Sequence, residues 1–140
     1  MRWGQVPAPE GFSYWLLKFD GGVYQEHNEL TDNPRGIGNI EFAYYKMAIQ
    51  CKIDMNFSTL LPEGDCNHFM TKRFDRTDDG AKIHMQTAAG LAHLDRDTRR
   101  SKEIISEITD VVAEWESFAK DCGVRESHRK QIQDSLLLKI

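Results

Sequence analysis

FSTLLPEGDCNHFMTKRFDR, residues 57 to 76, decides the fold class. It opens on a short apolar and hydroxyl run. It then breaks at Pro62-Glu63-Gly64-Asp65 and resumes with a second run from Asn67 to Phe74. Two such runs around a Pro/Gly/Asp break read as a β-hairpin. The second run ends on a charged cluster in which Lys72, Arg73 and Arg76 surround Phe74 and Asp75. Either this is a strand end that happens to be charged, or it is the rim of a site that holds something anionic.

Upstream of the hairpin, QVPAPEGF is an extended entry marked by Pro and Gly, and SYWLLKFD reads as an aromatic-rich strand closed by Asp20-Gly21-Gly22. Residues 24–37 are polar and contain Asn33-Pro34-Arg35-Gly36, which predicts a long loop. From Ile40 to Cys51 the apolar positions 40, 43, 44, 47, 48 and 51 form a helical stripe starting near Gly38-Asn39. Downstream, RTDDGAKIHM predicts a second Asp-Gly turn and another short strand, and QTAAGLAHL the beginning of a helix.

From Thr98 onward the pattern is strongly helical. Ile104, Ile108, Val111, Trp115, Phe118 and Cys122 alternate spacings of four and three, and Ile105, Val112 and Ala119 widen the stripe to core-facing width. Asp97 or Thr98 is the expected start and Gly123 the expected end. A last helix is expected over about residues 125–138 with Ile132, Leu136 and Leu137 inward. The composite is α+β: an antiparallel sheet with a helix packed on it, followed by C-terminal helices.

The totals fit one soluble domain. The chain has 140 residues, 40% hydrophobic and 29% charged, with net charge −4. Ten Lys/Arg face fourteen Asp/Glu in residues 1–97, and eight face eight in residues 98–140. Neither part has the basic face that direct nucleic-acid binding needs. No apolar run is long enough to span a bilayer, and MRWGQVPAPEGF lacks the apolar centre of a secretory signal. A cytoplasmic chain is expected. Cys51, Cys66 and Cys122 have neither disulfide-framework nor zinc-ligand spacing, and none of the five histidines falls into a metal-ligand pattern. No metal site, catalytic triad or glycine-rich phosphate loop is legible.

Lys18 stands on a predicted strand among apolar residues, and Glu41 lies at the start of the next helix. A strand lysine paired with a glutamate on the following helix orients phosphates in protein-kinase lobes. On spacing alone, an edge-strand lysine and a first-turn glutamate complementing the helix dipole are the preferred explanation of the two residues.

Several segments together resemble one family. VPAPEGFSYWLLKFDG, IGNIEFAYYKMAIQCKIDM, LLPEGDCNHFMTKRFDR and KIHMQTAAGLAHLD are similar, in order and spacing, to consecutive segments of HipA-like proteins. These are the serine/threonine kinases of bacterial type II toxin–antitoxin modules. EIISEITDVVAEWESFAKDCGV through KQIQDSLL resembles the family's last helices. The resemblance thus covers two blocks, about 1–97 (a kinase-lobe segment) and 98–140 (the helical segment), expected to form one compact unit.

By this resemblance Lys18 is the strand lysine that contacts ATP phosphates and Glu41 the glutamate that supports it. KRFDR is the hinge between lobes, where backbone groups around Lys72, Arg73 and Phe74 face the adenine. ATP and Mg are the implied cofactors, and a HipB-like antitoxin is the implied partner. The family's catalytic loop, an aspartate followed by a histidine two residues on and an asparagine three further, has no counterpart in the 140 residues. Its second metal-binding aspartate and its glycine-rich segment have none either. The two blocks meet directly between His93 and Thr98. The resemblance therefore implies a truncated, internally deleted member, inactive alone or limited to binding nucleotide. The alternatives are an interaction module for the antitoxin or one part of a split kinase. Surfaces that once faced the missing block imply self-association through exposed apolar side chains.

Overall fold

In this computed structural model, described over residues 9–21, 23–26, 29–32, 35–77, 79–84 and 98–136, the hairpin of residues 57–76 is the centre of the sheet. Strand β1 (Trp15–Lys18) pairs antiparallel with β5 (Cys66–Lys72), and β5 pairs antiparallel with β4 (Ser58–Glu63), giving the order β1-β5-β4. The turn is tighter than the sequence suggests. Pro62 and Glu63 belong to β4, and Gly64-Asp65 alone reverse the chain. Pro62 is tolerated because β4 is an edge strand, so its missing N–H costs no ladder bond.

The polar segment expected to be a loop contains a second hairpin. Strands β2 (Val23–Glu26) and β3 (Glu29–Asp32) pair antiparallel in register Val23↔Asp32 through Glu26↔Glu29. No apolar alternation marks it, because backbone pairing alone defines a two-stranded ribbon. The strand expected after Asp79-Gly80 is also corrected. It reduces to one bridge, Arg76↔Lys82, with no further strand among the described residues through 84. The helix start expected in QTAAGLAHL lies outside the described residues, as do Asp97 and Leu137.

Helix α1 (Ile37–Gln50) lies against β5 and β4. It ends in a Schellman-type cap: the Lys52 N–H reaches the Ile49 carbonyl and the Ile53 N–H the Ala48 carbonyl, at 2.9 and 3.0 Å. The long helix expected from Thr98 to Gly123 is two helices. α2 (Thr98–Ala113) and α3 (Trp115–Asp121) are separated at Glu114, whose N–H bonds the Val111 carbonyl at 3.1 Å, a tightened turn. The break falls directly before Trp115, the largest fully buried side chain among the described residues. Gly123 closes α3 as expected, at φ 71°, with the Val124 N–H on the Ala119 carbonyl at 2.8 Å. Helix α4 (Glu126–Ser135) follows.

The core joins both sequence blocks. Ala43 and Met47 of α1 pack with Trp115 and Ala119 of α3 and with Val124, and Val111, Val112, Phe118, Cys122, Ile132 and Leu136 surround them. The apolar stripe of α2 meets this core only in its second half. Ile104, Ile105 and Ile108 remain 46%, 45% and 37% exposed. The Cys51 thiol, just past the end of α1, is pushed up by burial and then by the Glu107 carboxylate. No helix among the described residues is long and apolar enough to cross a membrane.

Candidate functional site

Strand pairing fixes which side chains face one another. Lys18 stands opposite Phe69, which stands opposite Leu60; Leu16 stands opposite Thr71, which stands opposite Ser58. Directly paired residues share a sheet face. One face therefore presents Leu16, Lys18, Phe69, Thr71, Leu60 and Ser58. Glu41, just past the first turn of α1, forms an ion pair with Lys18 Nζ on that face. Both partners are partly exposed, and such a pair contributes only about 0–1 kcal/mol to stability. Its geometry matters more than its energy: it holds an ammonium group in one place.

The same face carries a hollow of about 440 Å³. Ser58, Phe69 and Thr71 line it from the sheet, Asp54, Met55 and Asn56 from the segment before β4, and Phe74 from beyond β5. Its polar floor is already ordered: the buried Ser58 hydroxyl bonds Thr71 Oγ1 at 2.9 Å and donates to the Asn56 carbonyl at 3.1 Å. Among the described residues, no three His, Cys, Asp or Glu side chains converge on a position that could hold a metal ion.

The structure brings Lys18 and Glu41 together and places Lys72 and Arg73 elsewhere. Lys72 pairs with Trp15, so its side chain is on the face opposite Lys18. Its N–H donates to the Phe57 carbonyl at 2.9 Å and its carbonyl accepts from Asn56 Nδ2 at 3.3 Å. The Arg73 N–H donates to the Tyr14 carbonyl at 2.9 Å. Its guanidinium grips Asp75 with two bonds, one of them Nε to Oδ1 at 2.7 Å. Hydrogen bonding to Arg73 holds the Asp75 carboxyl below its ordinary range, and Arg76 adds to this. Phe74, 55% exposed, lines hollows on both sides of the strand exit.

A family model described as the HipA-like C-terminal domain matches residues 3–137. The chain belongs to the HipA-like family. No curated protein matches it, and no solved structure does.

In this HipA-like chain, sequence reasoning missed the residue that sets the register between Lys18 and Glu41. Asp20 is 6% exposed. One oxygen accepts the N–H groups of Gly36 at 2.7 Å and Ile37 at 3.0 Å, and the other accepts the Asn67 N–H at 3.4 Å. Helix α1 has no cap from its own N-cap residue, so a carboxylate sixteen residues upstream supplies it. Lys18 precedes this clamp by two residues, and Glu41 follows the capped turn by one helical turn. His68 completes it: its Nδ1 accepts the Asp20 N–H at 2.9 Å, and Nε2, which then carries the proton, reaches Glu63 Oε2 at 2.7 Å. Nothing local marks Asp20, since Asp-Gly-Gly reads as a turn.

Replacing Asp20 with Ala leaves buried helix donors unmatched, and the expected loss is about 2–3 kcal/mol in a urea unfolding series. Asp20→Asn keeps one acceptor oxygen and turns an NH₂ toward the Asn67 N–H, so it should fall between wild type and Asp20→Ala. Equal stability of Asp20→Ala and wild type would remove the clamp from this account.

Proposed function

We propose that the chain binds an adenine nucleotide on the Lys18 face of the sheet and does not transfer phosphate by itself. The observation that carries this reading is the Lys18–Glu41 ion pair on the sheet face whose Phe69, paired with Lys18 across the strands, lines a hollow reaching the exit of β5. A lysine fixed by a helix glutamate is the arrangement that positions nucleotide phosphates in kinase-like lobes, and the hollow on the same face offers an apolar wall, Phe69 and Phe74, to a base. Catalysis is a separate matter. Phosphoryl transfer needs a group that orients the hydroxyl and ligands that hold Mg, and the sequence has no aspartate with a histidine two residues later. Lys18, Glu41 and the hinge backbone near Phe74 account for binding alone; magnesium, when bound with the nucleotide, neutralises phosphate charge.

A second reading is favoured by the exposed Ile104, Ile105 and Ile108. An uncovered apolar helix face suits a protein partner, and a HipB-like antitoxin is the partner that family membership suggests. One experiment separates the two. Thermal melts are recorded with and without Mg-ATP, for wild type and Lys18→Ala. A ligand of the folded state present at a hundred times its Kd adds about 2.7 kcal/mol, a shift of ~5–10 °C for a chain this size. The expected result is a shift of this order in wild type that Lys18→Ala abolishes. Because the Lys18 ion pair is worth so little, the variant alone should melt within a few degrees of wild type. A cooperative melt that nucleotide leaves unmoved would sink the nucleotide reading and favour the partner. If the chain alone phosphorylates a protein, the claim of no transfer fails.

A further inference from the structure

The two edges of the three-stranded sheet are finished differently. Ladder bonds alternate along an antiparallel strand. The Arg73 N–H bonds the Tyr14 carbonyl, so by register Leu16 and Lys18 also exchange their bonds with β5, and the N–H and C=O groups of Trp15 and Leu17 point outward. By the same alternation, the bond from the Lys72 N–H to the Phe57 carbonyl turns Ser58, Leu60 and Pro62 outward on β4. The β4 edge is blunted: Pro62 offers no N–H, and Ser58 is buried. The β1 edge has neither device. Among the described residues, β5 is the element that packs along β1, and the outward backbone groups of Trp15 and Leu17 have no partner. Leu16 and Leu17 are 46% and 40% exposed, so apolar surface accompanies the open ladder. The one charge of the strand, Lys18, is engaged by Glu41 on the sheet face and does not guard the edge.

An open edge is a template for another strand. We infer that its occupant is β1 of a second copy of this chain, paired antiparallel about a two-fold axis at Leu16. The strand is complementary to itself in that register. Trp15 of each copy stands opposite Leu17 of the other as a hydrogen-bonded pair, so every outward group of the two residues is matched. Leu16 meets Leu16 of the second copy as a non-hydrogen-bonded pair, the kind that brings side chains closest. The sheet thus gains an aromatic–aliphatic contact on one face and a Leu–Leu contact on the other. Centring the pair on Lys18 instead would set two ammonium groups opposite each other.

Closure follows from the far edges. The product is one continuous sheet, β4-β5-β1 followed by its two-fold copy, and it ends at both sides on a strand carrying Pro62. Pairing therefore stops at two copies, as an isologous contact requires. Nucleotide binding is not involved, since Lys18 gives its ammonium to Glu41 and its backbone to β5.

Sedimentation of the full chain across a concentration series tests this. Wild type should move from the 16.2 kDa of one chain towards twice that mass as concentration rises. Leu17→Pro gives β1 the missing outward N–H that Pro62 gives β4 and takes no bond from β5, so it should weaken dimerisation by ~10-fold or more. Leu16→Lys and Leu16→Glu each set like charges opposite each other across the axis and should weaken it as much as ~10-fold. An equimolar mixture of those two should dimerise again, because each strand then meets its opposite charge. Should Leu17→Pro fail to fold, the Leu16 variants, at a half-exposed position, still decide the matter. Ile104→Lys on α2 and Lys18→Ala on the sheet face should leave the dimer unchanged, and the second lets dimerisation and nucleotide binding succeed or fail separately. A chain that stays monomeric throughout, as it would if a different strand held the edge, would overturn the assignment. So would a dimer indifferent to Leu17→Pro, a dimer lost through Ile104→Lys, or Leu16 variants whose mixture stays monomeric.

Discussion

Gly38→Ala should be the most damaging single-methyl substitution in this protein, with an expected loss of more than about 3 kcal/mol and no cooperative melt as its extreme outcome. Gly38 is buried where α1 crosses β5. A Cβ there would lie 1.7 Å from the Asn67 carbonyl oxygen, 2.9 Å from its carbon and 3.2 Å from the Phe69 nitrogen. All three are backbone atoms of the central strand, so no rotamer change relieves the clash. The helix must move away from the sheet as a unit. Glu41 lies three residues on, on nearly the same side of the helix, so the movement carries it away from Lys18. A variant that still folds should therefore lose nucleotide-dependent stabilisation as well as intrinsic stability. Differential scanning calorimetry with and without Mg-ATP measures both. An intrinsic loss below about 1 kcal/mol would show that the contact between α1 and β5 is looser than described.

Trp115→Ala should cost about 3–5 kcal/mol. Trp115 is fully buried, stacks on Tyr44 with ring centroids 5.1 Å apart, and donates its indole N–H to the Arg129 carbonyl at 3.1 Å. It joins three of the helices around the core: α1 through Tyr44, its own α3, and α4 through Arg129. Removing it opens a cavity that neighbours fill only in part, and it leaves the Arg129 carbonyl without the indole donor. The stability of Trp115→Phe separates the two contributions. Phe keeps most of the ring volume but not the donor, so it should lose roughly 1–3 kcal/mol, less than Ala. Urea midpoints at unchanged slope give both values. If Phe proved as costly as Ala, the hydrogen bond rather than the packed ring would be the dominant contribution. Because Lys18 lies on the sheet and away from this core, neither variant should abolish nucleotide binding while it remains folded.

Much of the fold was legible because it rests on local signals. The Gly64-Asp65 reversal, the helical stripe ending near Cys51, the Gly123 stop and the periodicity around Val111, Trp115 and Phe118 are each written within a few residues. Each is a choice the backbone makes with its nearest neighbours. The candidate pair Lys18 and Glu41 was raised by the family resemblance, since spacing alone favours an ordinary edge lysine and a dipole-facing glutamate. The ribbon of β2 and β3 escaped because polar strands carry no apolar alternation. The break at Glu114 escaped because the stripe runs through it in register; what distinguishes the two sides is whether another element lies opposite.

What the sequence determined by itself was the first strand, the central hairpin, α1 and the helical character of the last forty residues, with the fold class and the family, all of which follow from periodicity, turn chemistry and ordered short motifs. Only the tertiary structure decided that Asp20 caps a helix sixteen residues away, that Lys18 faces Glu41 while Lys72 faces the other way, and that half of the α2 stripe stays uncovered. The physical reason is the same in each case. A hydrogen bond, an ion pair or a buried face needs a partner in space, and these partners come from elements that strand register and helix packing bring together.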